Sequence, residues 1–90
     1  MYEKIFLKRS DGGWTIVQIH ADHYDRSLQH ISAMARELRK DFPNVKNEQI
    51  RVERYAGLRL KGITYLQIQV NGNAKIPESY KQVPELEPGQ

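Results

Sequence analysis

Apolar residues recur along this chain with two different periods, and the switches between them mark out its elements. Tyr2 to Lys8 is a run of β-branched and aromatic residues that sets Ile5 and Leu7 on one side, the alternation of a strand. Ser10-Asp11-Gly12-Gly13 follows, and Asp-Gly with Gly-Gly supplies the positive φ angles that tight hairpin loops need. Trp14 to His20 is again rich in strand formers, so the pattern predicts a second, antiparallel arm.

The period then lengthens. Tyr24, Leu28, Ile31, Ala35, Leu38 and Phe42 recur at steps of four or three and fall within about 80° on a helical wheel, a stripe that a helix makes and a strand cannot. Asp22 is placed to cap this helix, and Asp25 to favour its N-terminus. Arg36, Arg39 and Lys40 crowd the last turns, where positive charge is favoured. Pro43 ends it at Phe42 or just before, because the residue preceding proline is pushed out of the α region.

Period two returns afterwards. Ile50 and Val52 alternate with Arg51 and Glu53. Leu60, Gly62, Thr64, Leu66, Ile68 and Val70 face away from Arg59, Lys61, Ile63, Tyr65, Gln67 and Gln69, and Ala56-Gly57 is the turn between the runs. The order β-β-α-β-β predicts a single α+β domain, with one long amphipathic helix packed on one face of a four-stranded, largely antiparallel sheet. Its core is expected to join Leu28, Ile31, Ala35 and Leu38 to Leu60, Leu66 and Ile68. Residues 1–70 form the expected domain. Residues 71–90 hold Pro77, Pro84 and Pro88 and few large apolar side chains, so they are expected as a flexible or loosely docked tail, with Ile76, Tyr80 and Val83 as its anchors if it docks.

Composition adds exclusions. Ninety residues make one domain. There is no cysteine, so no disulfide or thiolate site staples the fold, which fits a reducing cytosol. No apolar run approaches the roughly 18 residues of a membrane span, and Met1 to Phe6 reads directly into a strand and not into a signal peptide; no membrane partner is expected. The net charge is +3 with a pI near 9.3, compatible with a polyanion but common in ordinary domains.

Candidate chemistry is sparse. His20, His23 and His30 gather near the helix start with Asp22 and Asp25. His23 and His30 stand roughly 10 Å apart along a helix axis, too far to share an ion. His20 with His23 remains the candidate for a metal or acid/base site, on a spacing that matches no strong signature. No serine sits in a Gly-x-Ser-x-Gly elbow, and Gly12-Gly13 precedes a strand where a phosphate loop would precede a helix. Glu37 and Asp41, among arginines, read as solvated helix charge. No catalytic residue, metal or cofactor is therefore expected.

The remaining candidate surface is the second hairpin: Arg51, Arg54, Tyr55, Arg59, Lys61, Ile63 and Tyr65. Cations interleaved with tyrosines can stack bases and pair phosphates. The same composition also suits a protein contact or a plainly solvated face. The leading expectation is a non-catalytic binding or assembly module that forms a homodimer through sheet-face or edge contacts, since the last strand carries no proline. A nucleic-acid-binding domain built on that hairpin is second. A small enzyme or metal protein around His20 and His23 is third.

Overall fold

The computed structural model describes residues 2–22, 24–55 and 63–83. His23, the β3–β4 connection with Leu58, Arg59, Leu60 and Lys61, and the C-terminal seven residues lie outside them. The elements run β1 (Tyr2–Lys8), β2 (Trp14–His20), α1 (Leu28–Asp41), a 3₁₀ turn (Asn47–Gln49), β3 (Arg51–Tyr55), β4 (Ile63–Val70) and β5 (Lys81–Gln82). They build one small α+β domain, a helix on a mixed sheet of order β3-β4-β2-β1-β5. The expected antiparallel pairs are present; the sheet has five strands where four were expected.

The first hairpin closes as its turn residues require. Gly12 has φ +90°, its N–H donates to the Arg9 carbonyl at 3.0 Å, and Arg9 N–H donates to the Gly13 carbonyl at 2.8 Å. Asp11 Oδ1 accepts from Gly13 N–H at 2.9 Å, fixing a register in which Tyr2 faces His20 and Lys8 faces Trp14.

The fifth strand comes from the segment expected to be flexible or loosely docked. Lys81 and Gln82 pair in parallel with Ile5 and Phe6, and Val83 N–H donates to the Phe6 carbonyl at 3.0 Å. Tyr80 is buried in the main core with Ile16, Leu38 and Ile68, and Ile76 packs beside it. Local composition reads this segment as loop because its order comes from two apolar anchors and a few ladder bonds contributed by a strand some 75 residues earlier in the chain.

The helix departs from expectation in start and in facing. Ser27, not Asp22, is its N-cap, with Oγ accepting from His30 N–H at 3.1 Å, while Asp25 Oδ1 accepts from Ser27 N–H. Tyr24 therefore precedes the helix. The C-terminus falls where Pro43 requires, with Phe42 as C-cap. Met34 and Leu38 are the fully buried positions, whereas Leu28, expected in the core, is 82% exposed; Ile31 and Ala35 are only half-buried. At 100° per residue, the buried direction lies about 60° away from the centre of the apolar stripe. The cause is polar. The roll carries Glu37 and Asp41, expected to be solvated, down onto Lys4 of β1.

Candidate functional site

Three groups of side chains compete for a functional role. The first is the hairpin surface. Arg51 pairs in register with Gln67, Glu53 with Tyr65 and Tyr55 with Ile63, so these positions share the sheet face turned away from α1. Arg51 is exposed there and Tyr65 half-buried. Ile63, expected to offer contact area, is buried at 6% exposure. Arg54 is in register with Thr64 on the alternate positions of the same ladder. Arg59 and Lys61 lie outside the described residues. Across the same face, Ile5 and Val17 are buried, and Leu7 and Ile19 half-buried. The described segments outside the sheet that join the main core, the end of α1 and the stretch through Ile76 and Tyr80, pack on the opposite side with Phe6, Ile16 and Ile68.

The second group lies beneath the C-terminal half of α1. Lys4 Nζ donates to Asp41 Oδ2 at 2.9 Å and to Glu37 Oε2 at 3.3 Å, with all three side chains less than a quarter exposed. Tyr80 OH donates to the same Asp41 oxygen at 3.0 Å, and Lys40 reaches the other Glu37 oxygen at 3.2 Å. Burial opposes the charge on Lys4, but the hydrogen bonds and charges of Asp41 and Glu37 outweigh it and hold the ammonium above its ordinary pKa. Burial, then Asp41, pushes the Tyr80 phenol well above its usual range. The hydrogen bond from Lys40, together with Lys4, holds the Glu37 carboxyl below the usual range. Each of these shifts moves a group further from neutrality, which suits an ion-pair tie and not proton transfer near pH 7.

The third group lies under the first turns of α1. The rings of His20 and His30 meet edge-on at 4.8 Å, and Tyr2 meets His20 at 4.6 Å. His20 Nδ1 accepts from Asp22 N–H at 3.0 Å. Burial, with His30 beside it, lowers the His20 pKa. The sequence pointed to His20 with His23, which lies outside the described residues; among those described, His20 meets His30, a contact that depends on how α1 lies along β2. Gln18 and Thr64 are fully buried nearby on the helix side of the sheet. Among the described residues, no hydrogen-bond partner meets either amide atom of Gln18, Thr64 Oγ1 or His30 Nε2. Edge-to-face rings are a packing contact, and no group of three or more metal-ligating side chains converges among the described residues.

Comparison with protein-family models, with curated proteins and with solved structures returns no match. No helix among the described residues is long and apolar enough to cross a membrane.

Proposed function

We propose that this chain is a non-catalytic binding or assembly module of the cytosol that self-associates through the face of its sheet turned away from α1. The observation that carries this is the apolar patch of Leu7, Ile19 and Tyr65, half-buried around buried Ile5, Val17 and Ile63 on the side opposite the core that holds α1 and Tyr80. A small domain gains stability by covering such a face with a second copy. The titratable clusters support the non-catalytic half: the Lys4 group is shifted away from neutral pH and the His20–His30 pair is packed edge to face.

Sedimentation equilibrium tests it. The wild type should form dimers in the micromolar range, and Ile19→Lys should remain folded and become monomeric. A strict monomer at high micromolar concentration overturns it.

A nucleic-acid reading rests on exposed Arg51 sharing a face with Tyr65. Glu53, directly opposite Tyr65, counts against it. Oligonucleotide titration at about 20 mM salt, where electrostatic contacts are weakly screened, decides it, and no binding is expected.

A further inference from the structure

The roll that brings Glu37 and Asp41 onto Lys4 turns the other flank of α1 outward, above the edge of the sheet. There an open groove of about 430 Å³ runs between α1 and β3, with Ile31, Ala35, Ile50 and Val52 as its apolar lining and Arg36 and Arg39 beside them. Val52 is 41% exposed, and the exposed Leu28 lies one turn before Ile31 on the helix. Among the described residues no carboxylate lines the groove, and Arg36 has no ion-pair partner there. Arg39 donates to Asn47 Oδ1 at the end where β3 begins.

β3 is also the terminal strand of the sheet, paired with β4 alone. Its outward row of backbone groups meets no strand among the described residues, and Arg51–Tyr55 contains no proline. An edge of this kind accepts an added strand, with main-chain bonds giving affinity and alternate side chains giving specificity.

We propose that β3 and this groove bind an extended acidic segment of a partner protein, which adds as a sixth strand, sets apolar side chains against Ile31, Ala35 and Val52, and pairs carboxylates with Arg36 and Arg39. Charge selects this occupant. Among the described residues the groove supplies cations without carboxylates, on a chain of net charge +3. A second copy fits the edge poorly: antiparallel self-pairing centred on Glu53 sets that carboxylate against itself and brings two arginine-bearing rims together, and like charges directly opposite are destabilising. The site is separate from the self-association patch, which lies on the other side of the sheet.

The test is NMR titration of the full chain with a short peptide of alternating valine and glutamate, beside its valine–lysine counterpart. The acidic peptide should shift resonances of β3 and of α1 from Leu28 to Arg39, and slow amide exchange along β3. Affinity should fall with salt, and the exposed substitution Arg36→Glu should weaken it by about tenfold. No binding at millimolar peptide, equal binding of the lysine peptide, unchanged affinity in Arg36→Glu, or shifts confined to Leu7, Ile19 and Tyr65 would each overturn the proposal. Competition by oligothymidylate without any slowing of β3 exchange would do so too, assigning the cations to phosphate. Loss of the dimer in Ile19→Lys should leave peptide binding intact, so the two readings fail separately.

Discussion

Gln18 offers a sharp test of how this interior is balanced. Its side chain is fully buried between β1 and β4, opposite Lys4 and Leu66, and neither amide atom meets a partner among the described residues. A buried polar group left unbonded costs about 1–3 kcal/mol, whereas an apolar group of the same shape carries no such cost. Methionine matches glutamine in length and adapts to irregular space. Gln18→Met should therefore stabilise the domain by about 1–3 kcal/mol. For a chain of this size that is a rise in Tm of about 4–8 °C per kcal/mol. Urea unfolding should show the midpoint moving up with an unchanged slope, the signature of altered stability at constant exposed area. A midpoint that falls would refute the reasoning, because it would mean that the amide makes bonds in solution worth more than its desolvation.

Three further outcomes follow from the same packing. Leu38→Ala, at a fully buried core position, should cost about 2–5 kcal/mol by urea unfolding; a loss below about 1 kcal/mol would mean that the helix does not seat there. Lys4→Met should destabilise by about 1–3 kcal/mol by leaving the partly buried Asp41 without its cation and Glu37 with Lys40 alone, and the loss should shrink in acid as Glu37, held below the usual carboxylate range, is protonated. His20 has a folded pKa below its ordinary 6.5, so it contributes stability that is fully present above that pH and is lost as pH falls through the depressed value. His20→Phe should flatten the decline of Tm on the acid side of pH 6.5, and an unchanged profile would contradict the shift.

What could be read from the sequence was what short-range chemistry decides. The first hairpin follows from Asp11-Gly12-Gly13, and the helix end from Pro43. The alternation through Leu66 and Ile68 placed both in the core, where they are found. The helix start was misplaced because Tyr24 continues the spacing of Leu28 by four, although the Ser27 side chain is what meets a free N–H. The facing of α1 was hidden for another reason. Hydrophobic periodicity weighs Leu28 and Ile31 but not the attraction between Lys4 and carboxylates more than thirty residues away. The fifth strand and the His20–His30 contact were hidden likewise, since each depends on where distant elements come to rest.

Lys4, Asp41 and Tyr80 also set an order of events. The two ends of this tie, Lys4 and Tyr80, stand more than seventy residues apart in the chain, with the Asp41 carboxylate accepting from both. During translation β1 and β2 can pair early, but the outer edge of β1 stays open until Tyr80 to Val83 have left the ribosome. Closure of the sheet is thus a late step that joins segments more than seventy residues apart, the kind of long-range contact that slows folding. A nascent chain released short of Tyr80 would keep Lys4 on both acids but carry a bare strand beside them, a state apt to pair with other chains.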